Sequence, residues 1–550
     1  MSSILSTVRD LARLREIVAV LVKHGFGAVV ARIGLSSLAP AGTEATDEGG
    51  RGQRVRRVIE ELGPTFVKLG QVLSTRPDIV PEDVLKEIKK LQSDVPPVPF
   101  AAIKEQIEAE LGVPLEEAFE TFSEAPLAAA SVGQVHRATL KTDDGIIDVA
   151  VKVQRPGIAQ KIERDIELLY WLARAIERSM EEAEAYAPVK VVGEFDRALS
   201  AELDFRTEAE NARRFAAHFE DAPKVQFPAV YDQRSGRRVL TLEFIDGHGL
   251  HDAIELGYDR EAVVKRTIDI IIQMVFEDGF FHADPHPGNF IILGDKADPT
   301  ICCIDLGFVG RLTPAMRDKA IDLVIAAVRN DPRALADSLY AIGRTRHQKI
   351  DRAAFEAEVT VLSDKYLGRS LAHIDVSALV RDFMYGAAKY GLEIPSDFIL
   401  VGKAAVTLDG LGKEIVPDLD LFEAFKPHAV RLLRARYSPE KMGQDALRNV
   451  SQLSQFAGEL PVQVQEILDD LRTGRLRLET RDPTTREDAR TIARGLYAGL
   501  VVAALFALAG LALVADQPWI ALAAAALAVL RAGAHHVMSF IRARRDPSVS

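Results

Sequence analysis

The chain has only two cysteines in 550 residues, and they are adjacent at Cys302 and Cys303. That count excludes both a disulfide framework and a zinc site. Both lie in an apolar run and read as small buried core residues. Aromatics make up only 7 % of the chain, and no Lys/Arg stripe is interleaved with them. Together with a net charge of −12, this argues against a nucleic-acid partner. Near the N-terminus no short apolar core precedes a small-residue cleavage site, so no signal peptide is expected. The chain does have length, 48 % hydrophobic residues and an Ala-rich helical bias, enough for two or three units.

The stretch that organises the chain is His282-Ala-Asp-Pro-His-Pro-Gly-Asn289, followed by Ile304-Asp-Leu-Gly-Phe308. An apolar helix-like run, Ile268 to Val275, leads in, and Phe290-Ile-Ile-Leu293 leaves as a strand. Asp284 and Asn289 have the spacing of a kinase catalytic loop, in which an Asp and a metal-binding Asn share one turn. Asp305-Leu-Gly307 ends a second apolar run, where a kinase-type site holds its second metal-binding carboxylate. Pro-His-Pro-Gly alone would read as a polar turn, but a turn does not explain the Asp, the Asn and the strand-terminal Asp together.

An ATP site also needs a lysine, a glutamate and a phosphate loop. Lys152 sits in Val149-Ala-Val-Lys-Val153, where alternation puts Lys152 and Ala150 on one strand face. Upstream, Ala128-Ala-Ala-Ser-Val-Gly133 stands in the place of the phosphate loop with one glycine instead of several. A plain helix–strand junction is the other reading of that Ala stretch. For the acid, Phe195 to Phe219 reads as helix and offers Glu202, Asp204 and Glu208. Residues six apart differ by about 240° around a helix, so one helix could not aim Glu202 and Glu208 at the same point. Residue types alone leave the partner open. After Asp305 only a few residues precede Thr313-Pro314, a helix start. There is neither an Ala-Pro-Glu signature nor a long activation loop, which argues against a peptide substrate.

Along the chain, residues 5–34 have the spacing of one or two amphipathic helices interrupted at Gly25-Phe-Gly27. Packing on the body is the commoner use of such helices, and a membrane surface is the other. Residues 40–53 read as a linker. Arg54 to Gln92 is helical with a break at Gly63-Pro64, and Val95-Pro-Pro-Val-Pro99 is extended before a helix over Phe100 to Leu111. Strands are expected over 131–140, 149–153 and 239–245, and helices over 158–184 and 191–219. From residue 248 the pattern is almost wholly helical. Expected units are therefore 1–53 (amphipathic helices and linker), 54–124 (helical extension), 125–247 (N-lobe), 248–440 (C-lobe), 441–494 (helical connection) and 495–541 (hairpin).

These residues together resemble the UbiB-type atypical kinase-like family, also called AarF or ADCK-like. Lys68-Leu-Gly-Gln71 is similar to its KxGQ motif, Ala128 to Gln134 to its Ala-rich loop, and Glu202-Leu-Asp204 to its ExD. His282 to Asn289 is similar to its catalytic loop and Asp305-Leu-Gly307 to its metal motif. The resemblance implies an α+β, bilobal protein-kinase-like fold with a helical N-terminal extension. It implies Asp284, Lys152 and Glu208 as catalytic residues, with Lys152 paired to Glu208. ATP or ADP would be bound by Ala128, Ala129, Ala130, Ser131, Val132, Gly133, Gln134, Lys152 and Glu243, and Mg²⁺ by Asn289 and Asp305. Lys68, Gly70, Gln71, Glu202 and Asp204 would be regulatory, with Lys68 facing Glu202 above the pocket where a kinase takes a peptide. The family picture is slow ATPase activity, restrained by the Ala-rich loop, in support of isoprenoid-quinone (ubiquinone) biosynthesis and membrane lipid homeostasis. Membrane lipid, quinone precursors and quinone-biosynthesis enzymes are the partners it implies, and a homodimer is left open.

In the tail, Gly495 to Ala515 carries no charge over about 21 residues, enough to cross a bilayer core of roughly 30 Å. Asp516-Gln-Pro518 reads as a turn, Trp519 as an interfacial aromatic and Ile520 to Ile541 as a return segment interrupted by Arg531. Arginines flank both ends, at Arg486, Arg490, Arg494, Arg542, Arg544 and Arg545. This predicts a transmembrane helical hairpin in the inner (cytoplasmic) membrane, with both ends and the catalytic domain in the cytoplasm. A buried Ala-rich hairpin is the other reading. The expected function is a membrane-anchored kinase-like ATPase. A small-molecule or lipid kinase and a nucleotide-gated scaffold with negligible turnover are the alternatives.

Overall fold

Helix α1 (Val8–Lys23) begins the structure, a computed structural model. It describes residues 8–39 and 49–436, apart from 75, 77–78, 92–94, 144, 181–186, 346–350, 367–374, 418 and 420, together with isolated positions between 505 and 531. The chain divides into two units, Met1–Met442 and Gly443–Ser550, and the description below concerns the first. Apolar side chains recur on α1 at Leu14, Ile17, Val18 and Leu21, the spacing of one helix face. Leu14, Ile17 and Val18 are buried, each contributing on the order of 1.5–3 kcal/mol by leaving water. That face packs on the body, the commoner of the two uses expected for it.

After α2 (Gly27–Arg32) come α3 (Arg51–Leu62) and α4 (Pro64–Leu73). They are separated at Gly63, whose φ of 92° is open to glycine but costly for other residues. Pro64 then starts α4, where its missing N–H is not needed. Helices α5 (Glu82–Ile88), α6 (Phe100–Leu111) and α7 (Leu115–Ala118) follow.

The N-lobe sheet is antiparallel, in the order β1 (Thr121–Ala129), β2 (Gly133–Thr142), β3 (Gly145–Gln154) and β5 (Val239–Glu243). Between β3 and β5 lie α8 (Ile158–Ser179), α9 (Pro188–Glu202), α10 (Phe205–His218) and the short β4 (Val225–Gln226). Val149, Val151 and Val153 of β3 pack on Ile103 and Ile107 of α6. Helix α6 therefore belongs to the sheet's core and not, as its place in 54–124 suggested, to the extension. Helices α8 and α9 behave in the opposite way. They join α1, α3, α4 and α5 in one helical core through Ile162, Leu172, Phe195 and Leu199, and Arg13 pairs with buried Asp165 at 2.8 Å. The sheet also starts with β1, a strand the sequence reading missed because its residues alternate poorly and are mostly exposed.

The C-lobe opens with β6 (His248–Gly249), α11 (Leu250–Glu255) and α12 (Arg260–Ile272). A wide π-type turn, Gln273–Asp278, then delivers the chain into β7 (Phe280–His282); such turns recur at functional sites. Strands β8 (Phe290–Gly294) and β9 (Pro299–Cys303) pair with β6 and β4, and β10 (Val309–Arg311) pairs with β7. Cys302 and Cys303 are buried, and burial pushes the Cys303 thiol up to about 12. Helices α13 (Pro314–Val328), α14 (Pro332–Ile342), α15 (Arg352–Tyr366), α16 (Val376–Lys389), α17 (Ser396–Ile415) and α18 (Leu421–Arg436) complete the lobe. The strands β11 (Arg344–Thr345) and β12 (Leu392–Glu393) pair within it. Thr313 caps α13, accepting from Met316 N–H, so only the short β10 stands between the Asp305 turn and a helix.

Among the described residues no helix is long and apolar enough to cross a membrane. The hairpin expected at 495–541 lies almost wholly outside the described residues, as does the connection over 441–494.

Candidate active site

Alternation along β3 turns the valines toward α6 and Lys152 toward the opposite face, in register with Val135 of β2 and Leu240 of β5. Lys152 Nζ donates to Glu208 Oε2 at 2.7 Å and Oε1 at 3.0 Å. Asp305 Oδ1 lies 3.9 Å away. Burial works against the ammonium, but the Glu208 and Asp305 carboxylates outweigh it and hold Lys152 above its ordinary range. In return Lys152 is the main cause that holds Asp305 below the usual carboxylate range, against burial. Asp305 Oδ1 also accepts Gly307 N–H at 3.2 Å. Asn211 of α10 donates to Leu306 O at 2.9 Å, so the helix that carries Glu208 also holds the Asp305 turn.

The glutamates stand on two helices, not one. The chain breaks at Leu203-Asp204, and Asp204 caps α10 by accepting from Arg206 N–H and pairing with the Arg206 guanidinium at 2.6 Å. Upstream of the break, Glu202 meets Lys68 Nζ at 2.6 Å; downstream, Glu208 meets Lys152. The single helix expected over 191–219 is corrected here. An Asp that can accept an N–H competes with the helix interior and instead starts a new helix. Asp204 thus contributes a cap, while Lys68, Gln71 and Glu202 line the cavity. Gly70 is packed inside α4, where an added Cβ would sit 2.4 Å from Leu91 Cδ1.

The loop over 282–289 is held by its own polar groups. Asp284 N–H donates to His282 Nδ1 at 3.1 Å, and Asn289 Nδ2 donates to Asp284 O at 3.0 Å. Burial lowers the His282 pKa, outweighing the nearby Asp305 and Asp284 carboxylates. A neutral ring that accepts at Nδ1 carries its proton on Nε2. Across from the loop, Lys403 Nζ of α17 reaches Asp284 Oδ1 at 3.1 Å and lies 5.6 Å from the Phe308 ring centre. Lys403 was not singled out from sequence. The available signal was its isolation, since it is the lone charge between Asp397 and Asp409.

Lys152, Glu208, Asp284, Asn289 and Asp305 line one cavity of about 340 Å³ with Lys68, Gln71 and Glu202. Arg76 and Glu194, paired at 2.5 Å, line its far side.

The Ala-rich stretch is placed differently from the expectation. Ala128 and Ala129 are the last residues of β1, and Ala129 pairs with Gln134. The turn proper is Ala130 to Gly133, closed by Ala130 N–H to Gly133 O at 2.8 Å. Ser131 and Val132 are buried, Val132 in the helical core. Arg155 Nε donates to Ala130 O at 2.7 Å. The Gln134 side chain, expected at the nucleotide, makes its hydrogen bonds elsewhere. It is buried on the α6 face, accepting Val98 N–H at 2.9 Å and contacting His136 Nε2 at 2.8 Å. The Glu243 carboxylate likewise accepts Ala229 N–H at 3.2 Å, and none of the stretch from Ala128 to Gln134 lines the cavity described above.

Two lobes, a strand Lys paired with a helix Glu, an Asp/Asn loop and a strand-terminal Asp define a kinase-like protein, and the short passage through β10 into α13, in place of a long activation loop, makes it an atypical one. Comparison with known proteins agrees. Residues 90–339 match the ABC1 atypical kinase-like domain and residues 359–420 the UbiB helical domain. "Probable protein kinase UbiB" of Marinobacter nauticus is 33 % identical over 85 % of this chain and 86 % of its own length. The protein of the same name from Pseudomonas putida is 34 % identical over 85 % and 87 %. The chain belongs to the UbiB family of atypical kinase-like proteins. Among solved structures, the Rv3197–erythromycin complex of Mycobacterium tuberculosis aligns over 66 % of this chain and 94 % of its own, at 23 % identity and a TM-score of 0.43.

Proposed function

We propose that the protein binds Mg–ATP in this cavity and hydrolyses it slowly, in support of isoprenoid-quinone biosynthesis or lipid homeostasis at a membrane. The observation that carries the reading is the convergence of the Lys152–Glu208 pair with Asp305, Asn289 and Asp284. Lys152, held charged, would neutralise the nucleotide phosphates, and Glu208 fixes its direction. Asp284, held by Lys403 and its own loop, would orient or deprotonate the attacking group. The residues fit Mg²⁺: the Lys152 ammonium holds Asp305 below the usual carboxylate range, and Asn289 commits its Nδ2 to Asp284 O, so its Oδ1 remains an oxygen donor suited to a hard cation. Bound Mg²⁺ would neutralise phosphate charge between those two side chains. Among the described residues no cluster of three or more His, Cys, Asp or Glu forms a metal cage. None is needed where phosphates and water complete the shell.

A small-molecule or lipid kinase is the second reading. It is favoured by the continuation of the cavity from Asp284 to Lys68, Gln71 and Arg76, which leaves room for a small acceptor and no platform for a peptide. Membrane lipids, quinone precursors and the enzymes that make them are the proposed partners, and the cytoplasmic face of the inner membrane the proposed location. Asp305→Asn is expected to abolish nucleotide binding that depends on Mg²⁺; wild-type affinity and turnover in a nucleotide titration would sink the assignment. Labelled γ-phosphate followed to water, to a lipid or to nothing separates ATPase, kinase and scaffold.

A further inference from the structure

The turn that feeds the catalytic loop depends on contacts from outside its own lobe strands. Gln273–Asp278 has π-type geometry, and a geometry this rare has to be held by its neighbours. Relaxation to an α-helix would take one residue out of the turn, about 1.5 Å of rise and about 100° of rotation. Strand β7 and the loop over 282–289 follow at once, so they would take up that change. A misplacement of about 1 Å is enough to slow chemistry. On the α10 side the hold is incomplete. Gln273 Nε2 donates to His218 O at 3.3 Å, but Asp278 Oδ2 and His218 Nδ1 face each other at 3.5 Å, both buried and without a hydrogen-bond partner among the described residues. Such atoms count against the state that contains them.

Arg317 of α13 donates to Glu277 O, and further contacts come from α18. The Phe425 ring meets the Phe276 ring edge-on at 5.3 Å, and Arg431 Nη2 pairs with Glu277 Oε1 at 2.7 Å. His428 Nε2 lies 2.7 Å from Asp269 Oδ1 on α12, the helix that enters the turn. Spaced three apart, Phe425, His428 and Arg431 form one stripe of α18. Arg431 and Glu277 are 59 % and 37 % exposed, so solvent screens the pair and little energy is needed to part it. We propose that α18 is a releasable strap. Docked, it holds the π-type turn and with it the catalytic loop; released, it lets the turn relax and the loop move. Phe425 and Arg431 are then positioning residues, which act on Asp284 and Asn289 through the turn. The strap concerns the placement of the loop and rests on the proposed ATPase only where turnover is read.

Hydrogen exchange of the full-length protein tests it. Arg431→Glu sets two carboxylates against each other, and exchange over residues 273–289 is expected to rise about fivefold. Strand β3 of the N-lobe should exchange as in the wild type. Glu277→Arg combined with Arg431→Glu restores opposite charges and is expected to bring the exchange back. Phe425→Ala removes the ring contact and should act in the same direction as Arg431→Glu. In nucleotide turnover, kcat of Arg431→Glu should fall with KM for Mg–ATP unchanged, and the double variant should recover it. Wild-type exchange over 273–289 in both Arg431→Glu and Phe425→Ala overturns the proposal. So does an equal rise in β3, which marks a general loss of stability, and so does a double variant no better than Arg431→Glu alone. A wild-type protein that turns over no ATP would sink the proposed function and leave the exchange data to decide the strap.

Discussion

Lys403→Met removes the one cation of α17 that contacts Asp284. A unit-charge pair at 3.1 Å interacts by about 5 kcal/mol at an effective dielectric of about 20, and by about 1.3 kcal/mol in water. The two side chains are 29 % and 44 % exposed, so solvent screens them and the net effect lies toward the lower figure. A loss of about 1.5–3 kcal/mol is expected, which is about ten- to hundredfold in turnover. On the proposed reading Lys403 stands on the acceptor side of the cavity, whereas Lys152 would serve the nucleotide side. The loss should therefore appear in kcat for ATP hydrolysis, with KM for Mg–ATP little changed. Lys403→Arg, which keeps the charge but changes the fork geometry, should recover part of it. A pair this exposed contributes no more than about 1 kcal/mol to folding, so the melting temperature should move by only a few degrees and gross misfolding can be told apart. Turnover of Lys403→Met within twofold of wild type would refute the role given to Lys403.

Three further outcomes are expected. Lys68→Met and Glu202→Gln should have similar effects on nucleotide turnover, and the double variant should be milder than their sum by about 0.5–1.5 kcal/mol, since both singles break the same 2.6 Å contact; strict additivity in a double-mutant cycle would show that the pair is not a functional unit. Gly70→Ala should lower stability by about 1–3 kcal/mol, because its Cβ would lie 2.4 Å from Leu91 Cδ1 and 3.2 Å from Ile59 Cδ1; an unchanged denaturation midpoint would show that packing is not what requires glycine there. Burial lowers the pKa of His282 and of His136 below the ordinary 6.5. Between 6.5 and the lower folded value the unfolded chain binds more protons, so stability falls as pH falls through that window. His282→Asn keeps an acceptor near the Nδ1 position and cannot titrate, so its melting temperature should fall less than wild type's between about pH 7 and about pH 5.5. Equal slopes would place the His282 proton equilibrium outside the folding balance.

Local chemistry was legible in the sequence wherever neighbouring residues decide it. The Asp284/Asn289 loop, the Lys152 strand face, the Gly63-Pro64 break and the capped start at Thr313 each depend on a few adjacent residues, and the structure keeps them all. The pairing of Glu208 with Lys152 and of Glu202 with Lys68 came from family resemblance, not from residue spacing. The break at Asp204 that puts the two glutamates on separate helices was visible only as an acid in an apparently continuous helix.

Tertiary structure decided which segments share a core. Helices α8 and α9 interrupt the N-lobe in sequence yet pack with α1, α3, α4 and α5, and α6 leaves that group for the sheet. Periodicity reports which face of a helix is apolar and says nothing about which apolar face it meets. Strand register, which no local pattern prints, is what brings the Gln134 side chain to Val98 and His136 and the Glu243 carboxylate to Ala229 N–H. Lys403 shows the same limit from the other direction. It lies more than a hundred residues beyond Asp284, and only the folding of α17 against the loop brings its ammonium to the carboxylate.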